Sequence, residues 1–371
     1  MSRSLKIITG CIGLILLFYP AQIKAQILQD KNTLVLIRKD VDYIYNFNFE
    51  KARELTSEIV KLYPGHPIEY LISGMMTYWE NYPLLPSSPA HDHFEADMHK
   101  CIKLSEDKEG PEHEAEYLLS NLCARGMLLM FYSDNDLVSD VIPMTISSYK
   151  YLRKSFNFTS SCADLFYFTG LYNYYREAYP REYHVYRSLA MLFPPGGVQK
   201  GLNDLVNSAA NAVLLGPESY YLLTWVYTNF EYNYSSSLNY CRSLNEKYPE
   251  NALYTATYIK NLLLLKEYDE AEKMIKDSSE KTRNRYFNAQ LFIFNGLLQE
   301  KKYNNNELAE EYYSKGLDSI SFAGEYGNEY AAYAYFGLSR INAARGEKQS
   351  AKIFRDKASH LVEFKKINFD K

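Results

Sequence analysis

Residues 237–275 read SLNYCRSLNEKYPENALYTATYIKNLLLLKEYDEAEKMI, and this stretch decides the fold. Ser237 stands twelve residues before Pro249, and the step from Ser237 to Ala271 is 34 residues. Ser237-x3-Cys241 and Ala271-x3-Ile275 each place a small residue four before a larger one, and Lys266 to Glu270 reads as the turn between two helices. Such spacing predicts paired helices. A small side chain lets one helix approach its neighbour, and bulky residues fill the space between pairs.

The same grammar extends outward. Lys61-Leu62-Tyr63-Pro64-Gly65-His66 echoes Glu246 to Asn251, with Ala52 twelve residues before Pro64. Ala309-x3-Tyr313 keeps the small-then-large spacing, while Tyr70-x2-Ser73-Gly74, Phe166-x2-Thr169-Gly170 and Tyr335-x2-Leu338-Ser339 are aromatic then small. Leu34, Ile37, Val41, Ile44 and Tyr45 form one helical stripe, and Ala52, Leu55, Ile59 and Leu62 the next. Breakers fall at Pro64-Gly65, Pro83 to Pro89, Gly110-Pro111, Asp134 to Asp136, Pro180, Pro194 to Gly197, Gly216-Pro217 and Pro249. Period-two alternation is scarce. The reading is all-α: a solenoid of about eight antiparallel helical hairpins over residues 26–371.

This pattern resembles the tetratricopeptide-repeat family in degenerate form. The resemblance is clearest over 237–280 and 325–361, reasonable over 47–80 and loose from 90 to 215; the step lengthens to 38 from Ala271 to Ala309 and to 42 from there to Ala351. It implies a superhelix whose first helices line a concave face that takes a protein or peptide partner. Residues offset from the small positions would then line that groove: Leu71, Met75, Tyr78 and Trp79; Tyr167, Leu171, Tyr174 and Tyr175; and Val226 with Phe230. That face is aromatic and nearly uncharged, suiting an extended peptide or a partner helix, and stacking sugars would use it too. A basic clamp for a carboxylate-terminated peptide is not visible, since Lys260 stands alone among Leu253, Ala256, Leu263 and Leu264.

Composition narrows the function classes. The 371 residues carry 41 Lys+Arg against 45 Asp+Glu, which lacks the broad basic footprint of a nucleic-acid binder. Tyrosine is the outlier at 36 residues, beside two tryptophans. Tyr167 to Tyr186 and Tyr220 to Tyr234 are dense clusters; ring packing at hairpin interfaces accounts for most of them.

At the N-terminus, Arg3 and Lys6 precede an apolar run from Ile7 to Tyr19, and Ala25 follows a short polar patch. This describes a secretory signal peptide over 1–25, since spanning a bilayer takes ~20 apolar residues. Its removal would take three basic residues and no acidic one, shifting the formal charge from −4 to −7. The expected location is the periplasm or outer envelope of a bacterium. Most of the apolar run follows Cys11, whereas a lipidation box must follow the run. Cys101 and Cys123, on consecutive helices, are the best pair for a disulfide, but buried free thiols are the favoured reading.

Catalytic signatures are sparse. G-x-S-x-G, G-x4-G-K-[ST], H-E-x-x-H and C-x-x-C are all missing from the sequence. His91, Asp92, His93, Glu95 and His99 concentrate metal-ligand types, yet they read as the polar first turns of a helix leaving a Pro-rich turn. Phe193-Pro194-Pro195-Gly196-Gly197 reads as a tight turn with glycine at positive φ rather than an anion site. No catalytic residue, metal or cofactor is assigned. The expectation is a non-enzymatic exported scaffold for a protein or peptide, with a glycan-binding accessory protein of the envelope as the alternative. Self-association through a terminal repeat is open, although polar residues over 362–371 look suited to ending the array.

Overall fold

The computed structural model describes residues 27–106, 114–362, 364 and 366–370. Among these the regular structure is helical throughout, and apart from the short helix Arg187–Ala190 and three 3-10 segments it falls into eight antiparallel hairpins packed neighbour to neighbour. They are α1 (Lys31–Tyr45) with α2 (Phe49–Leu62), α3 (Pro67–Glu80) with α4 (Ala90–Glu106), α5 (Glu114–Asp134) with α6 (Val138–Ser155), and α7 (Leu165–Glu182) with α8 (Val198–Asn211). The second half continues with α9 (Gly216–Asn229) and α10 (Tyr234–Lys247), α11 (Ala252–Leu264) and α12 (Tyr268–Lys281), α13 (Arg285–Lys301) and α14 (Asn306–Ile320), then α15 (Asn328–Ala344) and α16 (Lys348–Leu361). The expected signal peptide lies outside the described residues.

Local chemistry sets the helix ends. Asn48, Asn233 and Asn305 begin α2, α10 and α14 by accepting a backbone N–H with the side-chain carbonyl, and Asn251 and Asn284 do the same for α11 and α13. Between the two helices of six hairpins one residue takes the left-handed conformation: Phe47, Asp136, Tyr232, Lys266, Asn304 and Gly346, at φ of 49° to 82°. Only one of the six is glycine, so the turn is imposed by the packing of its helices against the residue's own preference, which opposes it by roughly 1–2 kcal/mol.

The small residues do what the spacing predicts. Ala52, Ser237, Ala271, Ala309 and Ala351 are buried at helix crossings. A close crossing is at Tyr313 of α14, whose fully buried ring lies between Gly296 of α13 and Gly337 of α15. A Cβ on Gly296 would sit 2.5 Å from that ring, and one on Gly337 would sit 2.3 Å from it. Two details differ from expectation. Pro180 lies inside α7, which continues to Glu182, and Leu62 at the end of α2 is 55% exposed instead of completing its stripe.

The ribbon of hairpins curls tightly enough to meet itself. Asn251 donates to the carbonyl of Tyr45 (2.9 Å), Tyr248 donates to Asp42 (2.6 Å), and the Glu250 N–H donates to Asn46 (3.2 Å). These contacts seat the first hairpin on the fifth and sixth. Tyr82, just after α3, packs edge-on to Tyr286 at 6.1 Å and to Tyr326 at 5.6 Å, bringing the second hairpin to the seventh and eighth. The inner curve is therefore largely filled by its own rings.

Gly337→Ala is expected to destabilise the chain by about 1–3 kcal/mol, because overpacking against Tyr313 outweighs the gain in helix propensity. Gly126→Ala on α5 has the opposite sign: its new Cβ meets nothing nearer than Phe168 at 3.9 Å, so propensity decides and stability rises by about 0.5–1 kcal/mol. Denaturant unfolding of the two variants checks both signs; a stabilised Gly337→Ala contradicts the packing argument.

Candidate functional site

Of the ten residues expected to line an open groove, Leu71, Met75, Tyr78, Trp79, Tyr174, Val226 and Phe230 are buried. Tyr167, Leu171 and Tyr175 are half-buried. An open concave platform is therefore not what these positions present. The physical reason is the self-contact of the curled ribbon, which turns first-helix faces into interior. Two sets of the ten come together across helices. Met75 and Trp79 of α3 join Tyr167 and Leu171 of α7 around one cavity, and Tyr174, Tyr175 and Phe230 pack with centroids 5.3 to 6.0 Å apart.

The cavity of about 330 Å³ lies between α1, α3, α5, α6, α7 and the start of α9. Its wall is mainly apolar, interrupted by Glu218 in the first turn of α9, Arg125 of α5 and Ser148 of α6. The Tyr45 hydroxyl donates to Glu218 Oε1 at 2.6 Å. Burial raises the Glu218 carboxyl above the usual carboxylate range, and that hydrogen bond opposes the shift. Arg125 has its donors engaged elsewhere, on Glu106 (2.7 Å), Asn121 (2.8 Å) and Ser147 (2.7 Å). Asp164 fixes the Leu214–Leu215 side of the wall by accepting the N–H groups of Val213, Leu214 and Leu215 at 2.7 to 2.9 Å.

The other half of the inner face is covered by the chain's own end. After α16 the described residues 362, 364 and 366–370 turn back without helix or strand across first helices of the hairpins. Phe364 meets Phe230 (5.2 Å), Trp225 (5.6 Å) and Tyr183 (6.4 Å), and Phe369 lies edge-on to Tyr333 (5.0 Å). Lys366 bonds Glu182 at 3.0 Å, and the carbonyl of Asn368 accepts from Arg340 at 2.5 Å. Arg340 also holds Glu300 through two bonds of 2.6 and 2.8 Å. Burial acts to raise the Glu300 carboxyl, but Arg340 outweighs it and holds the group below the usual range. The tail expected to be a polar cap thus buries Ile367 and Phe369.

Two cavities flank this segment. One of about 250 Å³ is bordered by Asp134, Trp225, Tyr326, Glu329 and Phe364; one of about 510 Å³ is bordered by Tyr234, Tyr268, Leu297, Lys301 and Phe369. Lys260 is buried, paired with Glu329 at 3.1 Å and placed over Trp225 at 5.9 Å. Burial pushes Asp134 up to about 7 against a hydrogen bond from Tyr78. Asp40, facing Thr56 of α2, is pushed up to about 7 for the same reason.

The remaining candidates resolve simply. His91 stacks on Phe131 at 4.9 Å and contacts Glu95, while His93 faces Asp97 at 3.6 Å. Among the described residues no three His, Cys, Asp or Glu are grouped to hold a metal ion. Cys101, Cys123, Cys162 and Cys241 are buried free thiols, and burial raises each of them. Gly196 and Gly197 are not at positive φ, unlike the turn expected there. Gly196 is required by approach: a Cβ would lie 2.5 Å from the carbonyl oxygen of Asn173. Among the described residues no helix is long and apolar enough to cross a membrane.

Sequence reading missed Glu218, Asp134, Arg340 and the tail aromatics. The available signal was the tyrosine excess, which demands hydroxyl acceptors inside the fold. Compared with known proteins, the sequence matches no family model and no curated protein.

The raised carboxyls give a pH dependence of known sign. Folded Asp134 and Asp40 keep a proton to about pH 7, whereas an unfolded aspartate loses it near 3.8. Their contribution to stability is fully present below that lower value and is lost as pH rises through about 7. Asp134→Asn should therefore match the parent near pH 4 and exceed it at about pH 8, by on the order of 1 kcal/mol. Thermal melts across that range test this; an advantage that is the same at both ends contradicts it.

Proposed function

We propose that this protein is a non-catalytic, exported helical-repeat scaffold of tetratricopeptide-like character that binds an extended segment of a partner protein on its inner aromatic face. One observation carries the reading: the chain's own Phe364 and residues 366–370 already lie across that face in the manner of a bound peptide. Phe364 enters the ring cluster of Tyr183, Trp225 and Phe230, Lys366 meets Glu182, and the Asn368 carbonyl takes a bond from Arg340. An aromatic anchor, a rim ion pair and a backbone hydrogen bond are the elements by which extended peptides are recognised. The surface is thus complementary to an aromatic and basic segment, and a partner would present a similar one and exchange with the tail. The same arrangement corrects the simple platform picture, because the groove is occupied in cis at this end.

The test uses the full chain carrying Phe364→Ser and Phe369→Ser, which frees the tail while leaving the helices unchanged. A labelled peptide VEFKKINFDK, corresponding to residues 362–371, should bind this variant at roughly 1–100 μM and bind the parent at least tenfold more weakly. Arg340→Met, or Phe→Ala at the first peptide phenylalanine, should weaken that binding about tenfold or more. A variant with parental circular dichroism that takes up no peptide contradicts the proposal.

A further inference from the structure

We propose that the cavity walled by α1, α3, α5, α6, α7 and the first turn of α9 is a second, separate site that takes an apolar ligand ending in an ammonium group, with the ammonium seated on Glu218. The site goes beyond the peptide face, since it lies at the first turn of α9, while the tail crosses the opposite end of that helix at Trp225 and Phe230.

Shape and chemistry select the ligand class together. Met75, Trp79, Met127, Met130, Leu171 and Leu215 give an apolar wall contributed by three helices and the turn before α9. At about 330 Å³ the space is at the lower end of small-ligand sites and holds about eleven heavy atoms at ~30 Å³ each. An unbranched chain of eight carbons with one terminal polar group fits that volume.

The polar end is decided by charge. Arg125 borders the cavity, but its guanidinium is matched by Glu106 and bonded to Asn121 and Ser147. Glu218 accepts from Tyr45 at 2.6 Å, and no Lys, Arg or His among the described residues forms an ion pair with it. An acid buried without a counter-charge is costly, and a partner cation offsets that cost. The Trp79, Tyr45 and Tyr167 rings that share the wall favour a cation further through their π faces. A carboxylate-ended ligand would face Glu218 with like charge, and a neutral alcohol would leave the acid uncompensated.

The experiment uses the full chain with Trp225→Phe, so that Trp79 is the only tryptophan left and reports from the wall of the cavity. n-Octylammonium chloride, 1-octanol and sodium octanoate are titrated separately, following Trp79 fluorescence and calorimetry. Octylammonium should bind at least about tenfold more tightly than octanoate and more tightly than octanol. Glu218→Gln keeps an acceptor for Tyr45; it should weaken octylammonium about tenfold while changing octanol less than about twofold. Gly126→Phe projects a ring from α5 into the cavity and should abolish uptake of all three probes. Circular dichroism and melting verify that both variants are folded. Equal binding of the three head groups, undiminished octylammonium binding by folded Glu218→Gln, or no uptake of any probe would overturn the assignment. None of these results bears on the peptide face, whose own test uses the tail peptide.

Discussion

A buried tyrosine hydroxyl placed on a carboxylate is the interaction on which this architecture rests. Tyr45 reaches Glu218, Tyr248 reaches Asp42, Tyr174 reaches Glu231, Tyr313 reaches Glu300 and Tyr333 reaches Glu329, each at 2.5 to 2.6 Å. The ring supplies apolar area at a hairpin interface, and the hydroxyl would be costly to bury without an acceptor. The acceptor costs something too, because a carboxylate taken from water must be compensated. Where a cation completes the trio, as Arg340 does at Glu300, the acid stays ionised. Where none does, as at Glu218 and Asp134, burial prevails and the group holds its proton more tightly. The same pairing therefore produces two kinds of site: stable struts, and acids left in search of charge.

These pairs also explain why the ribbon closes. Two of them, Tyr45 with Glu218 and Tyr248 with Asp42, join hairpins far apart in sequence. Each cross-tie draws the first hairpin onto the fifth, so the inner curve of an otherwise open solenoid becomes an interior. Rings that would line a groove in an extended array are then core, and the space between them survives as discrete cavities. A solenoid stabilised only by neighbour contacts would be open along its length; here long-range ties replace that openness with selectivity, since a guest must either fit a cavity or displace something already seated.

Much of the fold was legible in the residues, for identifiable reasons. The small-large spacing at Ser237, Ala271 and Ala309 reports helix approach directly, because only a small side chain permits the distance. Hairpin turns were harder to place: their left-handed residue is Phe47, Asp136, Tyr232, Lys266 or Asn304, so no glycine marks the position except at Gly346. The asparagines that start α2, α10, α11, α13 and α14 were an available signal that hydrophobic periodicity overlooks. The candidate site was legible only in part. The family resemblance placed Met75, Trp79, Tyr167 and Leu171 on one face, and these four border a single cavity. It could not show that the face would be closed, because curvature depends on ties between residues about 170 to 200 positions apart.

The tail shows how such closure and binding can coexist. Its apolar anchors, Phe364, Ile367 and Phe369, are spaced through a segment whose lysines and aspartate gave it a polar look in sequence. In an extended segment the side chains alternate or rotate freely, so neither a helical nor a strand period exposes an amphipathic character. Its hold on the body is distributed over one rim ion pair, the Arg340 contacts and a few rings. A rim ion pair is worth little, and the rings do most of the holding. A segment attached mainly by two aromatic anchors can leave without unfolding the helices beneath it. Those helices are held by the tyrosine–carboxylate ties and the glycine-lined crossings, which the tail does not supply. Separating what builds the body from what covers its inner face is the physical condition for that face to be exchanged between a resident segment and an incoming one.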